Sequence, residues 1–143
     1  GLDVFGYAMG SHFLGDLLQH VSDIRTALGL GRVPDDLTLA VALDFYADAT
    51  HESLVADADG GVVLVLGDER LTLGPDPVVA EVTTDRFEAF RVLGGRRSEA
   101  QIRALSWTGD VDRVIGRLSR YPMPAADLVD PVDPVELVEP VEP

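Results

Sequence analysis

The chain contains no cysteine and no lysine, and aromatic residues make up only 6% of it. Without cysteine there is no disulfide, no thiolate zinc site and no cysteine nucleophile, a composition that fits a reducing cytoplasm. All eleven cations are arginine, against 25 acids, for a net charge of −14. So few cations exclude nucleic-acid binding through a basic surface, because neutralised phosphates supply most of that affinity. Arginine without lysine, beside much Ala, Val, Gly and Asp, is the composition a high-GC genome encodes. No apolar run approaches the ~20 residues of a membrane-spanning helix. The longest, Gly61 to Gly67, has the length of a strand, so no membrane insertion is expected. The opening Gly-Leu-Asp-Val lacks both an initiator methionine and a signal-peptide pattern, which reads as a piece of a longer protein. Phosphate loops are missing as well: Gly60-Gly61 and Gly94-Gly95 are not followed by Lys-Ser/Thr or a third glycine. His51-Glu52-Ser53 sets three catalytic residue types side by side, but neighbours in sequence face different ways and make no triad.

What is present spans 143 residues, enough for one ordinary domain, or a small domain and a fragment of another. Apolar spacing predicts a helix from an N-cap at Ser11 to the Gly29-Leu-Gly31 stop, and a second from Pro34 to Thr50. The period then changes. Leu54–Ala56, Val62–Leu66, Leu71–Leu73 and Val78–Thr83 are separated by tight turns, which predicts four short strands in an antiparallel sheet, with a short extended piece at Trp107. Capping signals at Asp85/Glu88, Ser98/Gln101 and Asp110 predict three further helices. From Pro124 the chain repeats Asp/Glu-Pro-Val with uniform negative charge, which predicts a disordered or extended tail, most simply a solubilising linker or frayed terminus, with an acidic interaction tail as the alternative.

Chemistry-bearing residues concentrate in the first helix. Asp16 and His20 lie four residues apart, about 6 Å of helical rise, and share a face as two ligands of one divalent cation do. His12 continues the stripe but stands about 12 Å from His20, too far for one metal to take all three. The alternative is that Asp16 and His20 are solvated polar residues beside a core stripe of Phe13, Leu14, Leu17, Leu18, Val21, Ile24 and Leu28.

The stretch Asp16-Leu-Leu-Gln-His20-Val-Ser-Asp23-Ile-Arg25-Thr-Ala-Leu-Gly29 resembles the last helix of the metal-binding domain in the mycothiol-dependent maleylpyruvate isomerase family, within the DinB-like superfamily. Residues 35 to 121, with Thr84-Asp-Arg-Phe-Glu-Ala-Phe90, Gly94-Gly-Arg-Arg-Ser98 and Ser106-Trp-Thr-Gly-Asp110, look like that family's sterol carrier-like C-terminal domain. The resemblance implies an α+β fold: a short sheet of four or five antiparallel strands with helices packed on it. Residues 1–31 would be a remnant of the metal-binding bundle, 32–123 the sterol carrier-like domain and 124–143 the disordered tail. It implies a metal, zinc, held by Asp16 and His20, with mycothiol as the thiol cofactor and a small-molecule substrate. Asp16 stands where the family has Glu. A further ligand belongs to an N-terminal helical bundle expected in cis, so the fragment alone is expected to be inactive. Asp23, Arg96 and Arg97 are candidates for contact with the cofactor or an anionic substrate; capping and pairing with Arg25 are the ordinary roles for Asp23, and an exposed helix start for the arginines. The alternative function is a binding or accessory domain for an apolar or small anionic ligand, with Phe87, Phe90, Leu93, Ile102, Trp107 and Ile115 as lining candidates.

Overall fold

A computed structural model of the protein describes residues 4–57 and 60–132, with side chains from residue 9 onward. The acids Asp133, Glu136, Glu139 and Glu142 of the tail lie outside the described residues. Two long helices come first, α1 (Val4–Ala27) and α2 (Leu37–Asp57). Helix α1 ends as its glycines predict. Gly29 takes φ 65°, its N–H bonds the Thr26 carbonyl and the Leu30 N–H bonds the Arg25 carbonyl, the two bonds of a Schellman motif. The Arg25 side chain donates to the carbonyls of Leu30, Gly31 and Arg32, fixing the link to α2.

Helix α2 starts later and runs longer than its sequence suggests. Asp36 caps it by accepting from the N–H groups of Thr38 and Leu39. The segment Leu54–Ala56, expected as a strand, continues the helix instead. The reason is register: Leu43, Tyr46, Ala47, Thr50 and Leu54 form one buried helical face, and the Thr50 hydroxyl donates to the Leu118 carbonyl.

Four strands follow, β1 (Gly61–Leu66), β2 (Glu69–Leu73), β3 (Val78–Thr83) and β4 (Ser106–Gly109), in the order β2-β1-β3-β4. The fold is α+β with helices packed against this sheet. One pairing corrects the antiparallel expectation: β1 and β3 are parallel. No crossover helix is needed, because β2 returns the chain to the starting end of β1 and residues 74–77 then pass across that end. The crossing is tight. A Cβ on Gly61 would lie 2.6 Å from the Pro75 carbonyl oxygen and 2.8 Å from that of Leu73. Val62, Leu64, Leu66, Ala80 and Val82 join the core with Leu43, Tyr46, Phe90 and Leu93. On the other face Arg70 of β2 pairs with Glu81 of β3.

The remaining helices are short: α3 (Arg86–Leu93), α4 (Glu99–Arg103) and α5 (Ile115–Leu118). Ser98 and Gln101 form the full reciprocal capping box before α4. At α3 only half of one forms, since Asp85 accepts from the Glu88 N–H while the Glu88 carboxylate turns to Arg97. Asp110 makes no side-chain cap, and the last predicted helix is broken into a 3-10 turn, Val111–Arg113, and the single turn of α5. The Asp110 N–H is spent on the Val79 carbonyl instead. Trp107 lies in β4, its indole N–H donating to the Ile102 carbonyl at 2.7 Å. Among the described residues, no helix is long and apolar enough to cross a membrane.

Candidate functional site

Helix α1 turns most of its apolar stripe away from the body, although Leu18 of that stripe packs against the core. Ser11, Gly15, Gln19 and Ser22 are buried, whereas Phe13, Leu17, Ile24 and Leu28 are each about 60% exposed (64, 60, 59 and 61%). Ser11 is therefore an inward-facing residue within the helix and not its N-cap. Periodicity reports which residues share a face, not on which side the body lies. The inward face is selected by fit: Gly15 admits the rings of Phe45 and Tyr46, to which a Cβ would come within 3.2 Å, and Gln19 is needed as a hydrogen-bonding residue.

Asp16 and His20 project outward from this helix. The His20 Nε2 lies 3.7 Å from the Asp16 Oδ2, and both side chains are more than half exposed. The structure thus brings these two candidates together and leaves them open. His12 goes elsewhere, its ring set edge-on to Phe45 at 5.1 Å. Among the described residues no group of three His, Asp or Glu is placed to hold a metal ion. The two donors present are a hard carboxylate and an imidazole, a set that suits zinc, but a catalytic zinc takes three protein ligands.

Asp23, Arg96 and Arg97 also converge, in a network whose other members were not singled out from sequence. Arg91 is its centre and is fully buried. Its Nη1 donates to the Gln19 Oε1 at 2.7 Å, and its Nε and Nη2 donate to Asp130 at 3.1 and 3.2 Å. Nη2 also lies 2.7 Å from the Asp23 Oδ1, close as an ion pair but off-line for a hydrogen bond. The Gln19 amide donates onward to the Phe90 carbonyl. Arg96 reaches the other oxygen of Asp23 at 3.1 Å. Arg97 does not project into solvent as a free helix-start cation. It is buried and donates to Glu88 at 2.8 Å and to Asp130 at 2.7 Å. Thr26 supplies a hydroxyl to Asp130. Asp23 pairs with Arg91 and Arg96, not with Arg25.

Local structure explains the convergence. Gly95, with φ 70°, ends α3 in a second Schellman motif, the Gly95 N–H bonding Val92 and the Arg96 N–H bonding Arg91. The turn carries Arg96 and Arg97 back beside Arg91. A sequence signal for Arg91 exists, since it stands four residues after Phe87 on the apolar side of α3; Asp130 carries none, being one acid among many in the tail. Residues 124–132, assigned from sequence to a disordered tail, contain this buried Asp130 together with Asp127 and Leu128, which bond Ser98 and Gln101.

Burial alone would raise the Asp130 pKa, but Thr26, Arg91 and Arg97 together hold it below its ordinary value of 3.8. Burial likewise opposes the charge of Arg97, and Glu88 and Asp130 outweigh it. Because the folded-state pKa of Asp130 is depressed, its stabilisation is complete above about pH 4 and is lost as pH falls through the folded value. Urea unfolding of wild type against Asp130→Asn should therefore converge as pH falls from 5 to 2, the wild type losing the advantage it holds at pH 7. Parallel acid limbs would contradict this.

A cleft of roughly 450 Å³ between α2 and β2 is lined by Asp44, Asp48, His51 and Arg70–Leu73. Burial, then the charges of Asp48 and Glu69, push the Asp44 carboxyl up against the opposing pull of Arg86. His51 Nδ1 accepts the Gly74 N–H at 3.0 Å, so this imidazole ties α2 to the crossing link. Between sheet and helices there is a void of about 10 Å³, lined by Leu64, Leu93 and Trp107 among others, room for no more than a water molecule. Phe87, Phe90, Ile102 and Ile115 are buried members of the core.

No protein-family model, no curated protein and no solved structure matches this chain.

Proposed function

We propose that the chain is the C-terminal portion of a cytoplasmic, divalent-metal-dependent, mycothiol-using isomerase or thiol transferase acting on a small molecule, inactive without an N-terminal helical bundle in cis. The observation that supports this reading is the outward face of α1. It presents Asp16 and His20 within a stripe of exposed Phe13, Leu17, Ile24 and Leu28, the pattern of a helix that buries one side in a bundle. Asp16 and His20 would supply two zinc ligands there and the bundle the remainder. When bound, the metal supplies Lewis acidity that favours the thiolate, the nucleophilic form of a thiol. Asp23 acts at a distance, as a positioning residue. Lying three residues beyond His20 and held by Arg91 and Arg96, it fixes the rotation of α1 and hence where Asp16 and His20 point. Arg96 is partly exposed and remains the candidate for a cofactor or substrate anion.

A second reading is an accessory domain with no catalysis of its own. The anchoring of α1 by the buried Arg91 through Gln19 and Asp23 is compatible with it, since a domain that presents a docking helix must hold that helix in place. Calorimetric zinc titration separates the two. Zinc should bind only to a form extended by the helical bundle, and His20→Ala should weaken it at least ~10-fold. Zinc binding in neither form would sink the enzymatic reading, while an extended form that binds zinc indifferently to His20→Ala would remove His20 from the site.

A further inference from the structure

The strap 124–132 is held in an unusual way for a terminal segment. Asp130 is its one buried residue, while Val129 and Val132 are 76% and 68% exposed. Its grip is polar. The Ser98 hydroxyl donates to Asp127. The Gln101 side chain donates to the Leu128 carbonyl at 2.8 Å and accepts the Leu128 N–H at 3.3 Å. Arg91, Arg97 and Thr26 close on the Asp130 carboxylate. The body thus reads one acid, one backbone unit and a second acid three residues on.

Charge shows that this carboxylate fills a place prepared for one. Without the strap the linked cluster carries four arginines, Arg32, Arg91, Arg96 and Arg97, and three acids, Asp23, Asp85 and Glu88, leaving one positive charge in a cluster whose Arg91 and Arg97 are buried. Desolvated guanidinium groups demand an anionic partner, and a carboxylate is matched to them in shape. The sequence supplies that partner repeatedly. Acids stand at Asp127, Asp130, Asp133, Glu136, Glu139 and Glu142, one every third residue, with Pro or Leu after each. Three residues is also the period of a polyproline helix, so a peptide with this spacing lines its carboxylates on one edge when extended in that form.

We propose that Arg91, Arg97, Thr26, Ser98 and Gln101 form a receptor for extended acidic peptides with carboxylates three residues apart, and that Asp127–Asp130 is its resident occupant. One later stretch of the sequence, Glu136-Leu-Val-Glu139, repeats the acid-Leu-Val-acid pattern and is the alternative occupant of the same socket; the others place proline, which has no N–H, where Leu128 donates to Gln101. The valines are exposed, so the register rests on the polar contacts and on the half-buried Leu128. This inference is independent of the metal reading, and either can fail alone.

The test uses the full chain with its tail acids neutralised (D127N, D130N, D133N, E136Q, E139Q and E142Q) and the free peptide Asp-Leu-Val-Asp-Pro-Val. Saturable one-to-one binding is expected, at least tenfold tighter than to wild type, whose own strap competes from a high effective concentration. The Asn-Leu-Val-Asn-Pro-Val peptide should not bind. No binding to the neutral-tail chain, equal binding of both peptides, or wild type binding as tightly as the variant would overturn the proposal. Should the variant fail to fold, wild-type chain in millimolar acidic peptide answers the same question by NMR: the amide signals of Asp127, Leu128 and Asp130 should shift with saturation. Signals that stay fixed would overturn it.

Discussion

Arg91→Ala is expected to lower the unfolding free energy by about 3–5 kcal/mol, as much as truncating a large core side chain. The guanidinium is completely buried and serves three separate elements: Gln19 and Asp23 of α1, its own helix α3, and Asp130 of the strap. Truncation leaves a nearly buried carboxylate with Arg97 and Thr26 alone, Asp23 with Arg96 alone, and the Gln19 Oε1 without its donor. Most of the loss comes from those stranded groups and not from the intrinsic strength of the ion pairs. Denaturant unfolding at pH 7 measures it, and a cycle with Asp130→Asn should show coupling, since the two residues share hydrogen bonds. A loss below about 1 kcal/mol would mean that the network is solvated in solution and does not anchor α1.

Gly61→Ala should destabilise by about 1–3 kcal/mol, and more if the sheet loses its parallel pair. The obstacle is the main chain, because the new Cβ would meet the carbonyl oxygens of Leu73 and Pro75 well inside contact distance. A side chain could swing away, but these two carbonyls belong to the link that carries β2 into β3. Moving the link loosens the Gly61 N–H bond to Pro77 and the register of β1 with β3. Two other glycines calibrate the measurement. Gly10 has open space around its Cβ position inside α1, so Gly10→Ala should be neutral or stabilise by up to about 1 kcal/mol. Gly67 has open space but φ 67°, so Gly67→Ala should cost about 1 kcal/mol from conformation alone. Thermal unfolding of all three should rank Gly61→Ala worst; equal effects at Gly61 and Gly67 would show that the link relaxes freely.

Much of the architecture was legible from local chemistry. The Schellman end of α1, the capping box at Ser98 and Gln101, the Asp85 cap and the strands Val62–Leu66, Leu71–Leu73 and Val78–Thr83 are all specified by residues within a few positions of one another. The juxtaposition of Asp16 and His20 was legible for the same reason, because a helix fixes which residues four apart share a face. Where local signals were ambiguous, packing decided. Leu54–Ala56 has strand-like composition but lies in α2, since Leu54 completes a buried helical face.

The sequence alone determined that the chain is α+β, where α1 ends, where α3 and α4 begin, which stretches form β1, β2 and β3, and that Asp16 and His20 stand together. Only the tertiary structure decided that α1 buries its polar and small face, that β3 lies parallel to β1, and that Asp130 closes on Arg91 and Arg97. Each of those outcomes depends on residues tens of positions apart. The apolar stripe of α1 marks a face without saying what covers it, and β2 can be followed by a strand on either side of β1. An acid in a repeating tail differs from its neighbours only through the arginines that bury it.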